Sequence, residues 1–209
     1  MKLIKKVALM TLLISSGSAV AQVGNNEVLA DPNLAEADAL AGMPHMTEAL
    51  AQAVIDGRPY LTAGQLDAVL ASALDDGQRE AVYGQLFRQI NLNTASEEDI
   101  MLIPGMSGRM THEFEEYRPY TSLEQFRREI GKYVDDAEVA RLEQYVFVPM
   151  NLNTASEEAF ATIPGMTSRM IHEFEEYRPY TSMEQFRREI GKYVDDNEVA
   201  RLESYVTLD

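Results

Sequence analysis

The sequence of 209 residues predicts an all-α protein built of three tandem modules of about 60 residues, the first one diverged. Three observations carry this. Residues 91–149 align without gaps on 151–209, with 46 identical residues out of 59. Arg-Pro-Tyr begins at Arg58, Arg118 and Arg178, sixty residues apart each time, which makes 31–90 a third copy. Within each copy apolar residues recur at helical spacing, and nothing alternates as a half-buried strand does.

Taken in order, residues 1–21 read as a secretory signal. Lys2, Lys5 and Lys6 precede the apolar run VALMTLLI, and Ala19 and Ala21 supply a small-residue cleavage pattern. That run is too short to span a bilayer. A leader, 22–30, then precedes the modules at 31–90, 91–150 and 151–209. In the second module Ser96 N-caps a short helix with Asp99 three residues on, and acidic residues in the first turn suit the helix dipole. Pro104 and Gly105 stop it. A second helix begins around Gly108, with Met110, Phe114 and Tyr117 on one face, and ends before Pro119, because a residue preceding proline is pushed out of helical angles. Thr121 with Glu124 is expected to cap a third helix, burying Leu123, Phe126 and Ile130. Asp135 with Glu138 opens a fourth, burying Val139, Leu142 and Val146. Four short helices in two hairpins make each module. Such small cores are expected to pack on their neighbours as helical repeats do.

The first copy aligns less simply. Its DPNLAEADALAGM reads as three residues shorter than NLNTASEEDIMLIPGM before the Gly-Met pair and three longer after it. That alignment sets Pro44 at the turn's second glycine position and Met46 at the arginine.

Composition restricts the function. There is no cysteine, so a lipoprotein anchor, a disulfide framework and a thiolate metal site are excluded. Setting aside the three lysines of the signal leaves 15 basic against 34 acidic side chains, a net of −19. The deficit is even, −7 over 22–90, −6 over 91–150 and −6 over 151–209. Nucleic acid and anionic lipid are repelled at long range, so contact with either needs a local patch.

NLNTAS followed by IPG and then a basic residue opening the next helix resembles the helix-hairpin-helix modules of the ComEA-like competence family. The likeness is strong from Asn91 to Tyr120 and in the matching stretch of the third module, and weaker elsewhere. What the resemblance implies is a phosphate-binding turn with a helix N-terminus behind it, and duplex DNA as partner, bound without regard to sequence during DNA uptake. Carried onto this sequence, the turn is Gly105, Met106, Ser107, Gly108 and Arg109, and again Gly165, Met166, Thr167, Ser168 and Arg169. The family's second glycine is Ser107 in one copy and Thr167 in the other. A β-branched threonine is poorly suited to positive φ, so either the turn differs or the hydroxyl replaces part of what the amide did. The first module is expected to be a structural cap.

The cluster Arg127, Arg128 and Lys132, with Arg118, offers a candidate basic edge, repeated at Arg178, Arg187, Arg188 and Lys192. The competing reading pairs these cations with Glu124, Glu129 or the carboxylates of HEFEEY. His112 and Glu116 resemble half of a zinc-protease helix but lack the second histidine, so no metal is expected. Tyr120 and Tyr180 either stack on a base or pack between helices. No nucleophile–base motif or nucleotide loop appears, so the expectation is a non-enzymatic protein without cofactor, secreted, into a bacterial periplasm. Its partner is double-stranded DNA or, if the fold was kept and the DNA site lost, a protein of an envelope complex. A photosystem II subunit of related fold and structural role is a parallel for the latter.

Overall fold

The computed structural model describes residues 22–25 and 28–208. Residues 1–21, read from the sequence as a secretory signal, lie outside them. Among the described residues there are twelve short helices: α1 Ala37–Ala41, α2 Glu48–Asp56, α3 Ala63–Leu70 and α4 Asp76–Tyr83; α5 Glu97–Met101, α6 Gly108–Glu116, α7 Leu123–Ile130 and α8 Asp136–Glu143; α9 Glu157–Phe160, α10 Ser168–Glu176, α11 Met183–Ile190 and α12 Asp196–Glu203. None of these described helices is long and apolar enough to cross a membrane. Isolated helices this short are not stable in water, so capping and packing must hold them.

Capping recurs at one register. The N-caps are Thr47, Ser107 and Thr167 at one helix of each copy, Thr62, Ser122 and Ser182 at the next, and Asp75, Asp135 and Asp195 at the last. Each accepts a hydrogen bond from the backbone N–H three residues on, satisfying an orphan donor of the first turn. Two expectations are corrected here. Ser122, not Thr121, caps α7, because its hydroxyl reaches Gln125 N at 3.1 Å, while Thr121 N–H donates to Gln125 Oε1 at 2.9 Å. The first copy also runs in ungapped register with the others, since its caps stand sixty residues before theirs.

A second device recurs in all three copies. Asn93 donates from Nδ2 to Tyr120 O (2.9 Å) and accepts from Tyr120 N–H at Oδ1 (2.6 Å). Arg118 donates to the carbonyls of Leu92 (2.6 Å) and Ala95 (2.7 Å). Asn33 with Tyr60 and Asn153 with Tyr180 repeat the first clasp, and Arg58 and Arg178 repeat the second. The peptide bonds before Pro59, Pro119 and Pro179 are all cis.

The helices are not the whole fold. Strand β1 (Ile90–Asn91) pairs in parallel with β2 (Val146–Phe147), and β3 (Met150–Asn151) with β4 (Val206–Thr207). A bridge between Ala30 and Leu86 marks the same place in the first copy. Each copy is thus tied between its two ends. Two residues leave no room for an alternating pattern, which is why periodicity gave no sign of them. The leader adds an antiparallel bridge, Val23 against Phe147.

The first two copies share one continuous apolar core, whereas Phe147 and Val23 belong to the core of the third. The stack is not open. Arg88, fully buried, donates to Tyr60 O (3.1 Å), Tyr205 Oη (2.5 Å) and Ser204 Oγ (2.7 Å), and lies 4.5 Å over the Tyr205 ring and 5.5 Å over Phe147. One guanidinium therefore joins residues from all three copies, where a simple solenoid would join neighbours only. Burial raises the Tyr205 pKa against the opposing charge of Arg88, and its hydroxyl stays a donor to Asp31 at 3.4 Å.

Candidate nucleic-acid interface

The turn between α5 and α6 is built by three local features. Met106 N–H closes on Ile103 O at 3.0 Å, Gly105 takes φ +73°, and Ser107 is extended at φ −121°. The third copy repeats this with Gly165 at +72° and Thr167 at φ −106°. Positive φ is therefore needed at the first glycine and not at the second. A β-branched residue is at ease in the extended region, and the Thr167 hydroxyl accepts from Met170 N at 3.2 Å as Ser107 does from Met110 N at 3.3 Å. The concern about threonine is removed by the N-cap.

In the first copy the left-handed residue is His45, φ 59°, and Thr47 is the cap. Pro44 accordingly matches Pro104, and Ala49 matches Arg109. This corrects the alignment that set Pro44 at a glycine and Met46 at the arginine. Proline removes no amide that the other turns possess; what the first copy lacks is the cation.

Ser107 Oγ occupies the third amide of α6 and leaves the N–H groups of Gly108 and Arg109 without an acceptor among the described residues. The Arg109 side chain is exposed, over the Tyr133 ring at 5.9 Å, and Arg169 lies over Tyr193 at 5.5 Å. Neither makes an ion pair with a described carboxylate, whereas Met106 and Met166 pack against the cores and anchor the turns. Ser107, Gly108, Thr167 and Ser168 are exposed.

The candidate basic edge is largely neutralised. Arg118 and Arg178 serve the backbone carbonyls described above. Arg127 forks onto Glu143 at 2.6 and 2.7 Å, and Arg187 onto Glu203. Arg128 and Lys132 share Glu129, and Arg188 and Lys192 share Glu189, so each trio keeps one net positive charge. Hydrogen bonds from Lys132, then Arg128, hold the Glu129 carboxyl below its ordinary range, and Lys192 and Arg188 do the same at Glu189. Pairing with Glu129 was foreseen; Glu143 and Glu203 were not. Tyr120 and Tyr180 are buried, so no face is open to a base.

Both hairpins have a neighbour from the first copy that the sequence did not reveal. Gly105 N–H donates to Glu80 Oε1 at 3.2 Å. A Cβ on Gly165 would lie 2.8 Å from Leu34 Cδ1. Behind each turn an arginine braces the proline carbonyl, Arg141 on Pro104 and Arg201 on Pro164, both at 2.8 Å. A cleft of about 270 Å³ between α4 and the first of these turns is lined by Arg79, Glu80, Pro104 and Gly105. His112 meets Glu116 at 3.5 Å on an exposed face, and among the described residues no group of three or more His, Cys, Asp or Glu could hold a metal ion.

No protein-family model and no solved structure matches the chain. One curated protein does, the endonuclease/exonuclease/phosphatase family domain-containing protein 1 of Xenopus laevis, 26% identical over 121 residues. The match covers 43% of this chain and 21% of that protein, so the chain is similar to a minor part of its relative's length.

Proposed function

We propose that this chain is a secreted, non-enzymatic protein that binds duplex DNA without regard to sequence, through the hairpins at 105–109 and 165–169, in the manner of the ComEA-like proteins it resembles. One observation carries the reading. In a chain whose other basic candidates face carboxylates or carbonyls, Arg109 and Arg169 stand exposed in the first turn of a nine-residue helix, with no ion pair and beside two amides with no acceptor among the described residues. Free N–H groups, the helix dipole and a guanidinium together favour a phosphate oxygen. Such contacts hold the backbone and read no bases. The similar Xenopus protein is named for an endonuclease/exonuclease/phosphatase family domain, and its activity is not carried over.

A second reading is favoured by Glu80. A carboxylate already accepts from the Gly105 amide, in a chain of net −19 beyond the signal, and this suits a scaffold whose partner is a basic protein of the envelope. Titration of the protein into labelled duplex at two salt concentrations separates the two. Binding should weaken with salt, each phosphate contact adding about −0.9 to the slope of log K on log salt, and should collapse in Arg109→Glu/Arg169→Glu. No binding at low salt rejects the DNA reading and leaves the scaffold, whereas full binding by the charge-reversed protein rejects the two hairpins as the site of contact.

A further inference from the structure

Beside each hairpin, side chains from both halves of the copy are joined in one row. Arg109, in the first turn of α6, lies over the Tyr133 ring, which follows α7. The Tyr133 and Tyr117 hydroxyls meet at 2.7 Å, and Lys132 Nζ lies 4.8 Å over the Tyr117 ring. The third copy repeats the row with Arg169, Tyr193, Tyr177 and Lys192, its hydroxyls 2.9 Å apart and Lys192 at 4.9 Å. Beside the rings are Glu113 and Glu173, buried, each with Oε2 lacking a hydrogen-bond partner among the described residues. The hydrogen bond with Tyr117, then the neighbouring Glu113 carboxyl, raises the Tyr133 pKa, so the phenol remains a hydroxyl at every pH of interest.

The fold does not require this row. In the first copy the corresponding residues are Ala49, Ala53, Gly57, Ser72 and Ala73, and the same four helices, caps and clasp form without it. Nor does stability explain it, since a buried carboxylate oxygen without a partner costs free energy. What the row does is hold two cations that belong to different hairpins at fixed stations on linked rings.

We propose that Tyr133 and Tyr193 are positioning residues for the phosphate site: each fixes its arginine against the helix N-terminus and couples it, through Tyr117 or Tyr177, to the lysine of the second hairpin. The unit grips neighbouring phosphates of one strand, and the carboxylate beside it orients the central hydroxyl. This rests on the DNA reading above and deepens it.

Three variants test it: Tyr133→Leu/Tyr193→Leu, the conservative Tyr133→Phe/Tyr193→Phe, and the leucine pair in an Arg109→Ala/Arg169→Ala background. Thermal melts confirm folding. Losing two partly exposed cation–ring contacts should weaken duplex binding about tenfold. Phenylalanine should restore most of it, because the ring remains. In the arginine-free background the leucine pair should add no further loss, which a merely structural role would not give. Without DNA, 15N relaxation of Arg109 and Arg169 Nε should show the side chains freed in the leucine protein and still held in the phenylalanine one. Wild-type affinity in the leucine pair, an undiminished loss in the arginine-free background, or equal Nε mobility in all forms overturns the positioning role. Held arginines in a wild-type protein that binds no duplex reject the DNA reading instead, and with it the phosphate grip, while the stacking stands.

Discussion

The asparagine clasp should not be worth the same in the three copies. Asn93→Ala removes both bonds to the Tyr120 backbone, and that residue is 2% exposed, so a carbonyl and an amide lose their partner together. At about 1–3 kcal/mol for each buried group left unpaired, the loss is roughly 2–4 kcal/mol after partial relaxation. Asn153→Ala faces the same geometry at Tyr180 and should cost a similar amount. Asn33→Ala differs, because Tyr60 O keeps a second donor, Arg88 Nε at 3.1 Å. Only the Tyr60 amide is orphaned, and the loss should be about half as large, roughly 1–2 kcal/mol. Urea unfolding followed by circular dichroism gives the order directly, and melting should follow at roughly 2–4 °C per kcal/mol for a chain of this size. Adding Arg88→Met to Asn33→Ala should make the carbonyl an orphan too, and the pair should lose more than the two single effects together. An Asn33→Ala protein as unstable as Asn93→Ala would refute the reasoning.

Two further predictions concern charge. Glu80→Gln removes an anion from the Gly105 amide; a unit charge at about 4 Å in water is worth about 1 kcal/mol, so low-salt affinity for duplex should rise roughly fivefold, and an unchanged titration would show that this turn meets no phosphate. Glu129 and Glu189 have folded pKa values below the unfolded value of about 4.3, so their contribution to stability is present above that pH and is lost as pH falls through the folded value. The urea midpoint should drop below about pH 4, and Glu129→Gln/Glu189→Gln should flatten that drop; an equal drop in the variant would assign it elsewhere.

Much of the fold was legible because it is local. Ser96 and Asp135 were readable as caps, since a hydroxyl or carboxylate three residues ahead of a free amide is a matter of sequence spacing. Thr121 and Ser122 show the limit: both can cap, and the backbone decides. The first copy was misaligned because Gly42 and Met43 imitate Gly105 and Met106 in letters, while φ +59° sits on His45, a residue type that gives no warning of it. Of the site, Arg109 and Arg169 could be named from the hairpin alone. Glu80 and Leu34 could not. They come from another copy, and contact between copies follows no spacing. The fork of Arg127 on Glu143 lies within one copy, but its partners are sixteen residues apart across a helical hairpin, beyond the reach of spacing along a single helix.

Identity of sequence has not made the second and third copies equivalent. Arg141 and Arg201 make the same bonds to Glu138 or Glu198 and to the turn's proline, yet the Arg201 side chain is 2% exposed and that of Arg141 34%. The difference is the first copy, whose Leu34 stands against Gly165, within reach of Arg201, and whose Asp31 adds its charge there. Closure through Arg88 holds that arrangement in place. One hairpin therefore meets a carboxylate at its glycine amide and the other an apolar side chain, although both expose the same arginine on the same kind of ring. The diverged copy sets the surroundings of both candidate sites, through contacts that the near-identical copies do not themselves encode.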